Sequence, residues 1–138
     1  MALADTGYWL ALANPQDQWH KAAIAATQDL EDDLVVTWPV ITETCHLMLA
    51  RLGLQAQLRF VERISRNAVI HDISSDKLPM IGSLMEKYAD LPMDMADASL
   101  VVAATDLKDG RILTTDQRDF GAYQWKTTKP FENLLRNR

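Results

Sequence analysis

Four acidic residues occupy positions that cost free energy unless their carboxylates do chemistry. Asp5 and Asp116 each close a short apolar run, and Glu43 lies in the first turns of a predicted helix. Asp97 interrupts residues 95–107, which are otherwise nearly all apolar. An unpaired carboxylate buried there would cost several kcal/mol. These four acids are therefore the first candidates for a functional site.

If the four carboxylates converge, their chemistry is that of a site for a hard divalent cation. Two unit charges ~4 Å apart repel each other by about 4 kcal/mol at an effective dielectric constant of ~20. Such a cluster persists only where protons are retained or a cation neutralises it. Oxygen donors without a set of cysteines or histidines favour Mg²⁺ or Mn²⁺. In an α/β domain, such a site serves phosphate chemistry, because the metal activates water and stabilises charge on phosphoryl oxygens.

The elements that must position these acids are short strands alternating with helices. Branched and apolar runs predict strands at residues 2–4, 34–38, 68–71 and 111–115, with a further short strand near 123–125. The alternation predicts an α/β protein with three layers, in which helices flank a central, mostly parallel sheet. Ligand sites of such sheets lie beyond the carboxyl ends of the strands, so Asp5 and Asp116 are expected at one edge.

Helical periodicity and capping residues predict the helices between these strands. They cover residues 7–13, 17–30, 39–52, 54–66, 74–88 and 95–107. The 95–107 helix is apolar nearly all round and should be buried on most sides. The 54–66 helix carries two stripes, one apolar (Leu54, Leu58, Val61, Ile64) and one basic (Arg59, Arg63, Arg66). The basic stripe is either a solvated face or a contact for RNA phosphates or an acidic partner.

Length, composition and charge bound the possible classes of protein. The 138 residues predict one domain over 1–138. Apolar residues make up 48% and charged residues 24%, which argues against disorder. The formal net charge of −5 argues against a protein that coats DNA or anionic membranes. However, the four candidate site acids account for most of this charge, so a nucleic-acid substrate is not excluded.

The single cysteine, Cys45, excludes an intrachain disulfide and a zinc site built from cysteines. One unpaired cysteine suits a reducing compartment, so a cytoplasmic location is expected. No run approaches ~18 apolar residues, so no membrane association through a span is expected.

Four segments surround the acids in order along the chain: Asp5-Thr6-Gly7, Thr42-Glu43-Thr44, Met93-Asp94-Met95-Ala96-Asp97-Ala98-Ser99 and Thr114-Thr115-Asp116-Gln117-Arg118-Asp119-Phe120. In order and spacing they resemble the four motifs of the PIN-domain nucleases. The likeness covers nearly the whole chain, including a tail that begins at Tyr123, and the chain length is similar to that of VapC-like toxins of toxin–antitoxin pairs. Four motifs in order in a chain of this length are fairly specific, whereas any one alone would be weak.

The resemblance implies a metal-dependent endoribonuclease. Asp5, Glu43, Asp97 and Asp116 match the family's acidic quartet, which binds Mg²⁺ or Mn²⁺, and a metal-bound water would attack the RNA phosphodiester. Thr114 matches a hydroxyl residue that supports the site. The resemblance also implies a homodimer and a VapB-like antitoxin, one segment of which occupies the active-site cleft.

Three further residues near the quartet have both a functional and a structural interpretation. Asp94 could join the site or cap the helix that follows it. Asp119 is expected to stabilise a turn, and joining the site is the alternative. Arg118 could bind a substrate phosphate.

Two tryptophans near the acids in sequence, Trp9 and Trp38, have the same ambiguity. Both are expected in the core, and the alternatives are a stacking platform for bases or a groove for a partner helix.

Two other classes of protein compete with the nuclease hypothesis. One is a catalytically degenerate PIN domain that only binds protein or RNA, and the four intact acids argue against it. The other is a different Mg²⁺-dependent α/β protein. A haloacid-dehalogenase-like phosphatase needs Asp-x-Asp after its first strand, whereas Asp5 is followed by Thr6-Gly7. A receiver domain needs an acidic pair at its first strand and a late lysine, which the sequence lacks.

Overall fold

Strands and helices alternate along residues 1–136, the part of the chain that the computed structural model describes. The strands are β1 (Ala2–Ala4), β2 (Leu34–Val36), β3 (Ala68–Ile70), β4 (Arg111–Leu113), β5 (Gln124–Trp125), β6 (Lys129–Pro130) and β7 (Glu132–Asn133). The helices are α1 (Thr6–Ala13), α2 (His20–Asp29), α3 (Trp38–Leu52), α4 (Leu54–Asn67), α5 (Leu78–Lys87), α6 (Met95–Leu107) and α7 (Gln117–Ala122). None of these described helices has the length and apolarity needed to cross a bilayer.

The main sheet holds five strands in the order β3-β2-β1-β4-β7, and every neighbouring pair is parallel. Strand β1 lies at the centre, where Leu3 pairs with Val35 on one side and with Ile112 on the other. Both faces of a parallel sheet are covered, which explains why β1 and β2 are apolar and buried at every position. Helices flank the sheet, so the predicted three-layer α/β/α fold is confirmed.

Helix α6 has a long continuous run of buried residues and begins and ends at the predicted residues. Every residue from Ala98 to Ala104 is buried, and the helix packs against α3 and α5. Lys108 ends it in the left-handed conformation, with φ at 56°. Asp97, in the first turn, is therefore fixed by a helix that cannot shift without disturbing the core.

The buried face of α4 differs from the predicted apolar stripe, of which only Ile64 is buried. The helix buries Ala56, Phe60 and Ile64, spaced four residues apart. Phe60 explains this rotation, because its ring packs edge-on against Trp9 with the ring centroids 5.5 Å apart.

The boundaries and the last quarter of the chain contain the other differences from the sequence prediction. Trp38, expected at the end of a strand, begins α3 with Pro39 beside it. Helix α7 was not predicted. The strand expected near 123–125 is β5, which pairs antiparallel with β6 in a separate sheet. Strand β7, also not predicted, returns to the main sheet beside β4.

Candidate active site

Asp5 lies at the carboxyl end of the central strand and is buried, with 7% of its surface exposed. Its Oδ1 accepts a hydrogen bond from the backbone N–H of Thr6 at 2.7 Å, so Asp5 caps the N-terminus of α1. Its Oδ2 accepts from the hydroxyl of Thr114 at 2.9 Å. Both carboxylate oxygens therefore have a fixed donor.

Thr114 connects Asp5 to Asp116. While its hydroxyl donates to Asp5, the same oxygen accepts from the backbone N–H of Asp116 at 3.0 Å. Asp116 then caps α7 by accepting from the backbone N–H of Asp119 at 3.0 Å. Because β1 and β4 are parallel neighbours, Asp5 and Asp116 follow their strands at the same edge of the sheet, as the sequence predicts. Burial raises the pKa of Asp116.

Gly7 explains why α1 can start so close to this edge. A Cβ atom at Gly7 would lie 2.0 Å from the hydroxyl oxygen of Thr115, the residue between Thr114 and Asp116. A glycine is therefore required for the backbone of α1 to approach the strand that delivers Asp116.

Asp97 reaches the site from the first turn of α6. Asp94 caps this helix by accepting from the backbone N–H of Asp97 at 2.9 Å. The hydroxyl of Tyr123 donates to Oδ2 of Asp97 at 2.8 Å. Asp97 is thus a half-buried carboxylate with one side-chain donor.

Glu43 is half-buried on α3 and faces α1 and the start of α6. Burial raises its pKa, a hydrogen bond with Thr6 lowers it, and the neighbouring carboxylate of Asp94 raises it again. The buried hydroxyl of Thr44 donates to that of Thr6 at 3.3 Å. These contacts bring Glu43 to the same corner of the fold as Asp5.

Burial and repulsion between carboxylates dominate the electrostatics of the cluster, while the charge of Arg118 lowers the pKa of Asp116. Burial, together with the charges of Asp5, Asp94 and Asp116, raises the pKa of Asp97 to about 8, although the bond from Tyr123 lowers it. Burial also raises the pKa of Asp5 to about 6, against the lowering effect of Thr114. Without a cation, Asp97 therefore holds a proton at neutral pH.

The donor set of this edge fits a hard divalent cation. The side chains that converge carry carboxylate and hydroxyl oxygens, which Mg²⁺ and Mn²⁺ prefer, and the raised pKa values mark a place where added positive charge would be stabilised. Within residues 1–136, no three Asp, Glu, His or Cys side chains stand close enough together to hold one ion as they are now placed. Holding an ion would therefore require side-chain rotations.

Comparison with known proteins identifies the family. A family model described as the PIN domain matches residues 2–126. The chain belongs to the PIN-domain family. It is similar to Ribonuclease VapC26 of Mycobacterium tuberculosis, with 28% identity over 121 residues that cover 87% of this chain and 90% of that one. The fold is also that of the crystal structure of Mycobacterium tuberculosis VapC20, a toxin described as cleaving the sarcin-ricin loop. That comparison has a TM-score of 0.79 at 18% identity and covers 86% of this chain and 92% of the other.

Three further residues singled out in the sequence lie around the four acids. Asp94 caps α6, as one of its two interpretations predicts, and its carboxylate lies beside Glu43. Asp119 is buried and accepts from Nε of Arg118 at 2.9 Å. Arg118 also donates to the backbone carbonyl of Leu91 at 3.2 Å. Most of its side chain is nevertheless exposed beside the site.

Two residues of this PIN domain contact the acids but were not among the predicted site residues. Tyr123 was noted only in the tail that resembles the family, and Thr6 only within the first motif. Burial and the bond to Asp97 raise the pKa of the Tyr123 hydroxyl, so it stays a proton donor. The position of Thr6 directly after Asp5 could have indicated it as a site residue. Tyr123 lies 26 residues from Asp97 in the sequence, and no local pattern marks it.

The basic stripe of α4 lies away from the acids. A cavity of about 450 Å³ between α1, α3 and α4 is lined by Trp9, Phe60, Arg59 and Arg63, among others, and by none of the four acids. Trp9 belongs to the core, as expected, while Trp38 does not.

Proposed function

We propose that this PIN domain is a VapC-type toxin that cleaves RNA with a divalent metal ion, Mg²⁺ or Mn²⁺. The observation that carries the proposal is the convergence of four acids from four separate elements on one edge of the sheet, where burial and mutual repulsion raise the pKa of Asp5 and Asp97. Such an arrangement destabilises the metal-free protein, and a bound cation would remove this cost by neutralising the carboxylates.

In the proposed site, Asp5, Glu43, Asp97 and Asp116 would hold the metal. When bound, the metal would supply Lewis-acid polarisation of the phosphodiester and of the attacking water. Thr114 keeps both strand-end acids oriented through its two hydrogen bonds. Burial of these groups at the edge limits access of bulk water, which strengthens their electrostatic effect on substrate.

Tyr123 has a separate role in the proposed mechanism. Its hydroxyl donates to one oxygen of Asp97, which lowers the pKa of that carboxyl and leaves the other oxygen for a ligand. The acid can therefore release its proton when a cation arrives, because metal binding and proton release are coupled.

The proposed substrate is RNA, as the name of the VapC26 relative and the description of VapC20 suggest. A VapB-like antitoxin is the proposed protein partner, and a homodimer is the proposed assembly. We also assign the whole of 1–138 to one domain. Strand β7 supports this assignment, because it lies beyond the end of the family match and yet pairs with β4 in the main sheet.

Cleavage of purified RNA tests the proposed activity. Wild type should cut total RNA in Mg²⁺ or Mn²⁺ and stop in EDTA, and Asp5→Asn and Asp97→Asn should each abolish cutting. Asp33→Asn, which changes an exposed acid that belongs to none of the four motifs, is the matched control and should cleave like wild type. Cleavage that persists in EDTA, or in either site variant, contradicts the proposal.

The toxin assignment has its own test. Expression of wild type should arrest growth, a small reading frame should adjoin the gene, and co-expression of its product should relieve the arrest and yield a stable complex. Growth arrest by Asp97→Asn equal to that of wild type contradicts a toxic effect based on this site.

A further inference from the structure

Trp38 is far more exposed to solvent than Trp9, the other tryptophan that lies near the acids in sequence. The indole of Trp9 is 1% exposed and belongs to the core, whereas Trp38 is 55% exposed. An exposed indole beside a proposed active site offers a flat apolar face to a ligand, which an exposed aliphatic side chain does not.

The fold places Trp38 beside the acidic quartet. Its neighbour Thr37 bonds Ser99 through their hydroxyls, with 2.7 Å between the oxygens, and Ser99 lies two residues after Asp97 on α6. One residue step along the chain, the span of the two hydrogen-bonded side chains and two residues along a helix keep the backbone of Trp38 within about 15 Å of Asp97. Glu43 follows on the same helix, with a rise of about 7.5 Å. Trp38 therefore lies at the rim of the site, in reach of a nucleotide adjoining the cleaved bond.

The orientation of the indole is fixed before any ligand arrives. Its Nε1–H donates to Oδ1 of Asp72, which follows β3, at 3.0 Å. Pro39 restricts the backbone on the other side. Since the only polar atom of the ring is used by Asp72, a ligand can be recognised here only through the aromatic face. A preorganised ring also loses little conformational entropy on binding.

The charge around Trp38 favours an uncharged aromatic ligand over a phosphate. Asp72 holds the ring, and Asp94 lies at the start of the neighbouring helix α6. This acidic rim repels the RNA backbone, whereas a base is neutral and stacks on an aromatic face. Met95, which begins α6, adds an exposed apolar side chain.

We infer that Trp38 is a stacking platform for an unpaired base of the RNA substrate, next to the phosphodiester that the acidic quartet cleaves. This inference rests on the proposed RNA-cleaving function and adds a residue that positions the substrate. Stacking on one aromatic side chain changes affinity by about 5- to 150-fold, the range that alanine substitution of such platforms gives. The platform selects single-stranded segments, because a base in a duplex has no free face.

The test measures binding of a fluorescein-labelled 12-nucleotide single-stranded RNA of mixed sequence, in Mg²⁺, with Asp97→Asn as the parent so that the RNA stays intact. Trp38→Ala should weaken binding by about 5- to 150-fold. Trp38→Phe should retain most of the affinity, and Trp38→Leu, which keeps apolar bulk without a π face, should lose most of it. Leu54→Ala is the matched control, since Leu54 is 54% exposed at the start of α4, beyond the C-terminal end of α3, and this variant should bind like the parent.

Two further measurements separate stacking from other effects. Trp38→Ala should leave the affinity for a 12-residue abasic ribose-phosphate chain unchanged, and the slope of log affinity against log salt should also stay constant. With the active enzyme, Trp38→Ala should raise KM for the single-stranded substrate and change kcat less.

The contrary outcomes are distinct. Equal affinity of Trp38→Ala and the parent overturns the inference, as does an equal loss for the abasic chain. Unchanged RNA affinity with weaker antitoxin binding also overturns it and assigns the ring to a protein partner. If wild type cleaves no RNA at all, the proposed function fails, and this inference fails with it.

Discussion

Replacing Asp97 with asparagine should stabilise the metal-free protein, and the gain should grow with pH. The folded-state pKa of Asp97 is raised from 3.8 to about 8. Between these values the folded protein holds a proton that the unfolded chain has released, so the free energy of unfolding of wild type falls as pH rises. Asparagine cannot ionise, and the variant lacks this fall.

The magnitude follows from the size of the shift. Each unit of pKa difference corresponds to about 1.36 kcal/mol, and since part of Asp97 faces water, we expect about half of the full value, roughly 3 kcal/mol, at pH 8. The stabilisation is small near pH 4 and vanishes below the unfolded-state pKa of 3.8, where both states are protonated. Asp5, with a pKa raised to about 6, adds a smaller fall between pH 4 and 6 in both proteins.

The assay is urea unfolding in EDTA at several values between pH 4.5 and 8, for wild type and Asp97→Asn. The two curves of unfolding free energy against pH should diverge as pH rises. Added Mn²⁺ should raise the unfolding free energy of wild type more than that of the variant, because a ligand that binds only the folded state stabilises it. Parallel curves, or a variant that is less stable than wild type at pH 8, would refute the electrostatic reasoning.

Three other substitutions test individual contacts. Thr114→Val should lower the free energy of unfolding by about 2 kcal/mol, because a fully buried hydroxyl with two hydrogen-bond partners is lost. Thr114→Ser keeps the hydroxyl and should retain most of the stability. Equal chemical denaturation midpoints for the two variants would contradict this role of the hydroxyl. Tyr123→Phe removes the donor that lowers the pKa of Asp97, so the pH at which RNA cleavage is half-maximal should move up, as a pH–rate profile would reveal. Gly7→Ala should lower the free energy of unfolding by about 1–3 kcal/mol in thermal unfolding, since the new Cβ meets the Thr115 hydroxyl. Adding Thr115→Ala to the same chain should recover part of this stability. If no stability is recovered, the clash lies elsewhere.

The sequence was most informative where one local pattern determined the outcome. Residues 95–107 are apolar on nearly all sides, which is possible only for a buried helix, and α6 occupies those residues. Asp5 and Asp116 could be placed at one edge because parallel strands share their carboxyl ends.

Other features depend on long-range packing that no local pattern records. The rotation of α4 depends on the contact between Phe60 and Trp9, from different helices. The bond from Tyr123 to Asp97 depends on the unpredicted helix α7, which carries Tyr123 back to the site. The exposure of Trp38 follows from its place at the start of α3 rather than within a strand, and residue type alone had favoured the core.

Isothermal titration of Mn²⁺ into the protein at pH 7, in two buffers of different ionisation enthalpy, tests the central claim most directly. If the acidic quartet is a metal site that protons occupy in its absence, wild type should bind Mn²⁺ saturably and release up to about one proton per ion. Asp97→Asn should lose this binding, and Asp33→Asn should keep it. Absence of saturable Mn²⁺ binding to wild type, or binding that Asp97→Asn leaves unchanged, would contradict the account.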